Sequence, residues 1–328
     1  MKLSIIIVSY NEIQYLSQAI ESCLNQDCDF PFEIIIGDDG STDGSIDVIQ
    51  QYREKYPDKI RYFVMDRSDA VDVIPSIRVS NILKRGFQEA VGAYITVLSG
   101  DDLLLDTNKL SVQVEYLEKH PHFASTYTDF KMFWNDGREK NVVMRADHCR
   151  AVFWSSLYMH ISCFVFRRAA LDYLLDRFCD DTGLIFSIFC AGKSKHLPQL
   201  AFGYRQRDYS IMQSADKLEL NILELELFQD VVNRSGLKSS TLAHSAKSMR
   251  YVFNHREKLQ DEKYRKYLVS CSRYGHNYLG EIAQFDSLSA AQKRKLKQLL
   301  LISMASHYLY VIMRKIETGI RLICPQKD

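Results

Sequence analysis

Two short acidic stretches carry the residues best suited to chemistry: Asp38-Asp39-Gly40-Ser41-Thr42-Asp43 and Ser99-Gly100-Asp101-Asp102. Each follows directly on an apolar run, Glu33-Ile34-Ile35-Ile36-Gly37 in the first case and Ala93-Tyr94-Ile95-Thr96-Val97-Leu98 in the second. Carboxylate pairs brought together repel unless something positive comes between them. A divalent cation carrying a phosphate ester, with the hydrogen-bond donors of a nucleotide, meets that requirement. One Asp-Asp pair is ordinarily a solvated turn. Two, each at the end of a strand pattern, mark a ligand site, because ligands of open α/β sheets lie beyond the carboxyl ends of the strands.

The elements that must position these acids alternate. Leu3–Val8, Glu33–Gly37, Ile60–Met65 and Ala93–Leu98 read as buried strands, and Ile13–Asn25, Ser45–Tyr56 and Asn81–Val91 as helices. Tyr15, Ala19, Ile20, Cys23 and Leu24 share one face of the first helix, and Asp43 is placed to cap the second, which Pro57 ends. This βαβα order predicts an α/β fold with a mostly parallel sheet flanked by helices. From Asp66 to Ser76 the period breaks, consistent either with a loop over the ligand or with an ordinary surface loop. Asp106 caps a further helix carrying Leu110, Val114 and Leu117, and short strand signals follow near Ala124–Thr128, Asn141–Met144 and Ile161–Phe166. After Ser214 strand signals fade and helical spacing takes over, which predicts a domain over 1–213 and a helical C-terminal region over 214–328.

Composition narrows the class. The 328 residues exceed a usual single core, and a net charge of +1 leaves no electrostatic footprint for nucleic acid. The eight cysteines form no C-x-x-C pair and sit mostly in apolar stretches, as reduced buried thiols do. The run Leu3–Val8 is too short for a signal-peptide core, and eighteen apolar residues never occur uninterrupted. A cytoplasmic protein is expected.

Ser4-Ile5-Ile6-Ile7-Val8-Ser9-Tyr10-Asn11, Ile34 through Asp43, Gly92 through Gly100-Asp101-Asp102, and Lys109-Leu110-x-x-Gln113 together resemble the family 2 glycosyltransferases of the GT-A fold. The third signature resembles the branch with a GDD motif, found among bacterial surface-polysaccharide enzymes. The resemblance covers roughly residues 3 to 213 and implies a Rossmann-like GT-A domain that transfers a sugar from a nucleotide diphosphate to an acceptor hydroxyl. It implies donor contacts at Ser9, Tyr10, Asn11, Asp39, Arg78, Asp101, Arg205 and Arg207, with Tyr10 packing on the nucleobase and Asp39 accepting from it. An imide N–H, as in uracil, suits that carboxylate, so the expected donor is a UDP-sugar. Metal ligation falls to Asp102 with Asp101, and hard oxygen ligands suit Mg²⁺ or Mn²⁺. Two positions depart from the pattern. Ser99 stands where many relatives have an aspartate. Arg207 stands where a histidine is frequent, and an arginine neutralises diphosphate without ligating a cation.

The resemblance also implies a catalytic base in Cys179-Asp180-Asp181-Thr182, ahead of Leu184-Ile185-Phe186 and Gly192-Lys193. The register puts the base at Asp181 with Asp180 beside it, although either residue also suits a helix cap. His160 reads as a core or surface histidine. Over 288–323, Leu301, Ala305, Leu309, Ile312, Ile316, Ile320 and Ile323 form a helical stripe beside the basic cluster Lys293-Arg294-Lys295-x-Lys297. That pattern suits an anionic membrane surface, or a helix packed on protein. The expectation is an inverting, metal-dependent hexosyltransferase with a saccharide or lipid-linked saccharide acceptor. It would serve O-antigen, capsule or lipopolysaccharide synthesis as a cytoplasmic, peripheral-membrane protein of open oligomeric state. The rivals are a catalytically impaired nucleotide-sugar or glycan-binding protein and a nucleotidyltransferase. The latter would want a Gly-rich basic loop where Ser9-Tyr10-Asn11-Glu12 stands.

Overall fold

Apolar runs that cannot face water on either side build the centre of one sheet. β1 (Leu3–Ser9) and β2 (Phe32–Asp38) are buried almost throughout. They are joined by β3 (Ile60–Val64) and β4 (Tyr94–Ser99) in parallel register. In this computed structural model the described residues are 1–67, 75–144, 159–174, 181–207, 216–235, 246, 248–264, 278–302 and 304–305. The remaining strands are β5 (Leu103–Leu104), β6 (Phe123–Trp134), β7 (Glu139–Val142), β8 (Phe164–Arg167) and β9 (Lys193–Gln206). The sheet order is β3-β2-β1-β4-β8-β6-β9-β5, with β7 paired to β6. Its first half is parallel, whereas β8 runs antiparallel to β4 and β6, and β9 runs parallel to β6. Helices α1 (Leu16–Leu24), α2 (Ser45–Lys55), α3 (Pro75–Glu89), α4 (Lys109–Lys119) and α5 (Asp181–Ala191) belong to the same part of the chain.

Several boundaries differ from the sequence reading for local reasons. Helix α1 starts at Leu16 and not at Ile13: residues 13–15 form a turn, and the Ile13 N–H is donated to Asp43 Oδ2 across the loops. Asp43 also accepts from the Ser45 N–H, although the residue just before α2 is Gly44, at φ 97°. Helix α3 begins earlier than Asn81, at Pro75, a residue preorganised for a first helical position. Ile161–Cys163 form a 3₁₀ turn, so the strand begins only at Phe164. Strand β9 is hidden in the sequence by Pro198, which the ladder accommodates as an irregularity between Leu197↔Thr128 and Leu200↔Asp129.

The chain divides into two compact units, Met1–Arg150 with Tyr158–Gln213 and Ala151–Leu157 with Ser214–Asp328. The second contains α6 (Lys217–Ser235) and α7 (Tyr278–Ala283). Asp216 anchors the start of α6. Its Oδ1 accepts from the Leu218 and Glu219 N–H groups, and its Oδ2 from Lys263 and Tyr264, contacts that hold its pKa well below the usual carboxylate range. In the helical stretch 290–302, Leu296 and Leu300 are buried while Leu301 and Ile302 are 63% and 55% exposed. The stripe from Leu309 onward lies outside the described residues. Among the described residues no helix is long and apolar enough to cross a membrane.

A small buried network ties β1, β2 and the turn before β4 together. Ser4 Oγ donates to Glu33 Oε1 and accepts from the Gly92 N–H, and the Val91 N–H donates to the same Glu33 oxygen. Gly92 is pressed against β1 so closely that a Cβ there would lie 2.5 Å from Ser4 N and 2.7 Å from Leu3 C, both backbone atoms. Gly92→Ala should therefore destabilise the protein by about 1–3 kcal/mol, the usual cost of overpacking. Urea unfolding would read this as a lowered midpoint with an unchanged m-value.

Candidate active site

The register β2-β1-β4 brings three strand ends level, with Ser9 opposite Asp38 and Val8 opposite Ser99. The ladder runs one step past the strands on both sides, through Asp39 N–H to Ser9 O at 2.9 Å and Gly100 N–H to Val8 O at 2.8 Å. The two acidic loops and Ser9-Tyr10-Asn11-Glu12 consequently share one carboxyl-terminal edge.

At the outer end of this edge, Tyr10 is partly exposed, with the Arg67 guanidinium 4.0 Å from its ring centroid. Asp39 is buried and paired to Arg78 Nη2 at 2.6 Å and to Arg67 Nη1 at 3.1 Å. Asn11 takes a left-handed conformation at φ 51°, donating its N–H to Ser41 Oγ and accepting from the Thr42 N–H. Ser9 Oγ is buried without a hydrogen-bond partner among the described residues. Thus Ser9, Tyr10, Asn11, Asp39 and Arg78 are brought together, and Arg67, which the sequence reading did not single out, joins them.

In the middle of the edge, β5 turns back and pairs antiparallel with β9, and this carries Arg205 and Arg207 alongside the second acidic loop. The Arg205 N–H donates to Asp102 Oδ1 at 2.9 Å and its Nε–H to the Asp101 carbonyl at 2.8 Å. Its guanidinium also donates to Gln18 and lies over the rings of Tyr15 and Phe133. Arg207 Nη2 bridges Asp101 Oδ2 at 2.7 Å and Glu12 Oε1 at 3.3 Å. Glu12 is an acid the sequence reading did not assign. It is buried, its Oε2 has no hydrogen-bond partner among the described residues, and a Cβ at Gly100 would sit 2.3 Å from that oxygen. The glycine of the acidic loop therefore makes room for a carboxylate, a signal visible only once the fold joins positions 12 and 100.

Asp102 is fully buried, and its Oδ2 likewise lacks a hydrogen-bond partner among the described residues. Burial pushes its pKa well above the usual carboxylate range, and repulsion from Asp101 and Glu12 adds to the rise. Glu12 is raised for the same first reason, with Asp101 opposing its charge and Arg207 partly offsetting it.

On the other side stands Asp181, the first residue of α5, with 46% of its side chain open to solvent. Its carboxyl accepts from the Ile161 N–H, and desolvation by the surrounding protein raises its pKa to about 6. Asp180 lies outside the described residues. His160 neighbours both Asp102 and Asp181, with Nε2 3.9 Å from Oδ2 of each. Its pKa is lowered to about 4 by burial. The ring contacts Phe202 and Tyr204, with centroids at 4.8 Å and 4.6 Å, and Nδ1 accepts from the Ser162 N–H.

Among the described residues no set of three or more His, Cys, Asp or Glu side chains is placed to hold a metal ion. Mg²⁺, however, is usually held by one or two carboxylates and completes its shell with phosphate oxygens and water. The unpartnered oxygen of Asp102 fits that use, whereas Asp101 Oδ2 is engaged by Arg207.

The sequence profile described as glycosyl transferase family 2 matches residues 4–175, and the chain belongs to that family. Among curated relatives, the chain is 33% identical over 132 residues to the glycosyltransferase EpsE of Bacillus subtilis (strain 168), covering 40% of this chain and 44% of EpsE. It is 30% identical over 134 residues to the teichuronic acid biosynthesis glycosyltransferase TuaG of the same organism, covering 41% of this chain and 48% of TuaG. Each match thus spans less than half of the relative's length. The crystal structure of S. aureus TarS residues 1–349 in complex with UDP-GlcNAc superposes with a TM-score of 0.61 at 17% identity, over 98% of this chain and 92% of that one. The fold is that of the GT-A glycosyltransferases.

The geometry around Arg207 yields an expectation about stability. Arg207→Met would leave Asp101 and Glu12 facing each other without a cation, at a cost of about 3–5 kcal/mol, typical for breaking a buried pair on one side. Adding Glu12→Gln should recover part of that loss. A double-mutant cycle by urea unfolding measures the coupling.

Proposed function

We propose that this chain is an inverting glycosyltransferase that moves a sugar from a UDP-sugar to a hydroxyl of a saccharide or lipid-linked saccharide, in the assembly of a cell-surface polysaccharide. The observation that carries the reading is the pair Asp102 and Asp181, whose Oδ2 atoms each lie 3.9 Å from one histidine nitrogen. One carboxyl is buried with an unpartnered oxygen, and the other is half open. They suit opposite ends of a single displacement. The UDP-GlcNAc bound by TarS and the teichuronic acid role in the name of TuaG support the donor and the product class.

In this reading Tyr10 stacks on the base, Asp39 accepts from its imide N–H, and Ser9 and Asn11 line the same edge. Arg78 orients Asp39 through its ion pair. Asp101 contacts the donor near the ribose and diphosphate. Arg205 holds the Asp101-Asp102 loop in place, and Arg207 carries the positive charge nearest the diphosphate. Asp102, with Asp101 behind it, would hold Mg²⁺ or Mn²⁺, which when bound stabilises charge on the leaving nucleoside diphosphate. Asp181 takes the proton of the acceptor hydroxyl as that oxygen attacks the anomeric carbon, with Asp180 as its neighbour in sequence.

A base must be ionised to act, and the Asp181 pKa stands at about 6, raised from 3.8. Activity should therefore fall about tenfold per unit once the pH drops below that value. Asp181→Asn should keep the thermal stabilisation given by the best donor in a panel of nucleotide sugars. It should lower transfer by about 10²–10⁴-fold. Unchanged transfer in Asp181→Asn would move the base elsewhere and remove the mechanism.

We also propose attachment of the 214–328 region to the cytoplasmic face of the membrane through 288–323. Leu301 and Ile302 are exposed beside Arg294, Lys295 and Lys297, whose side chains are exposed too. Full-length protein should co-sediment with anionic liposomes in a partly salt-sensitive manner, at about 1 kcal/mol per basic residue near the surface. Truncation before residue 288 should abolish this while leaving nucleotide binding intact. Absence of liposome binding by the full chain would refute the attachment.

A further inference from the structure

We infer that His160 reads the transferred sugar, its Nε2–H donating a hydrogen bond to a sugar oxygen held between Asp102 and Asp181. The inference rests on the donor reading above and adds a specificity-determining residue to it.

The ring is fixed before any ligand arrives. Nδ1 accepts from the Ser162 N–H at 3.3 Å, so the proton of the imidazole is on Nε2. Phe202 and Tyr204 lie against the ring, Phe130 stands beyond at 6.5 Å, and only 15% of the side chain is exposed. The Nε2–H is therefore held in one place, and two carboxylates lie near that nitrogen. Neither takes it: at 3.9 Å both are outside hydrogen-bond range.

The two carboxylate oxygens are each 3.9 Å from the histidine nitrogen and so lie no more than twice 3.9 Å apart. A single displacement needs the attacking oxygen, the anomeric carbon and the leaving oxygen roughly in line. With the diphosphate at Asp102 and the acceptor hydroxyl at Asp181, the group between them is the transferred sugar. A sugar hydroxyl has lone pairs to accept from Nε2–H. A site that pairs a buried N–H with a substrate hydroxyl discriminates against the epimer that cannot reach it, because the N–H is then left unpaired.

The test uses the full chain and calorimetric binding of UDP, UDP-glucose, UDP-galactose, UDP-N-acetylglucosamine and GDP-mannose, together with the relative turnover of each sugar nucleotide. His160→Phe keeps a flat ring and removes the donor, and His160→Gln restores a donor at similar reach. The expected result is that both variants bind UDP as the parent does. His160→Phe loses about 3- to 10-fold in affinity for the preferred sugar nucleotide relative to UDP, the net worth of one neutral hydrogen bond, and its turnovers with different sugars converge. His160→Gln recovers part of the preference. If His160→Phe does not fold, His160→Leu takes its place in the same comparison. The inference is overturned if the donor-less variant retains the parent's sugar preference while all turnovers fall together, or if UDP and sugar-nucleotide binding weaken equally. A parent protein that binds UDP and no sugar nucleotide overturns it as well. If the parent binds none of the five, the donor reading itself is wrong.

Discussion

Three carboxylates, Glu12, Asp101 and Asp102, meet at the carboxyl edge of the sheet where little water reaches them, and much of the surrounding structure answers to that crowding. Desolvation raises Glu12 and Asp102 well above ordinary acids, and each carboxylate adds to the cost of ionising its neighbours. Arg207 lies between Glu12 and Asp101, while the backbone N–H of Arg205 holds one oxygen of Asp102. These cations arrive because β9 runs along β6 as far as Gln206 while its other edge pairs with β5, the two-residue strand directly after the acidic loop. The length of β9 is thus tied to an electrostatic need at its far end.

The two halves of the sheet divide the labour. The parallel half levels the ends of β2, β1 and β4, placing the proposed nucleotide contacts in a row. The mixed half supplies what a parallel sheet alone would not. Strand β8 is preceded by the 3₁₀ turn at Ile161–Cys163, and that turn sets both His160 and the Ile161 N–H that Asp181 accepts. Asp181 and His160 are therefore positioned by one another's segments. This common support holds the carboxyls of Asp102 and Asp181 near one another, as the proposed displacement between two bound reactants would require.

Membership in glycosyl transferase family 2 frames how the two unusual positions act. Ser99 ends β4 opposite Val8, a place where a further carboxylate would join an already crowded set. Arg207 sits directly on Asp101. Against the pattern the resemblance implies, Ser99 leaves one fewer negative charge at the edge and Arg207 one more positive charge. Both run in the same direction, towards a site in which side chains would supply part of the neutralisation that the proposed cation would otherwise carry alone.

Much of this was legible along the chain. The alternation of apolar strands and striped helices through Leu98 is a local property, because each run must bury itself whichever partners it finds, and it placed both acidic loops at strand ends. Where local pattern and fold diverged, the cause was tertiary. Strand β9 carries Pro198 and many polar residues and becomes a strand only against β6. Ile161–Cys163 looked extended and closed into a turn. Glu12 and Arg67 gave no signal of their own, since their importance is a matter of which charges lie opposite them. His160 in isolation was an ordinary histidine. Sequence alone determined the family, the order of the first strands and helices, and the residue types at the acidic edge of the sheet, because these follow from spacing within a few residues. Only the tertiary structure decided which acids share a dehydrated space, which arginines face them and which histidine neighbours both Asp102 and Asp181. Burial and electrostatic interaction depend on distances between atoms that the chain separates by up to about two hundred positions.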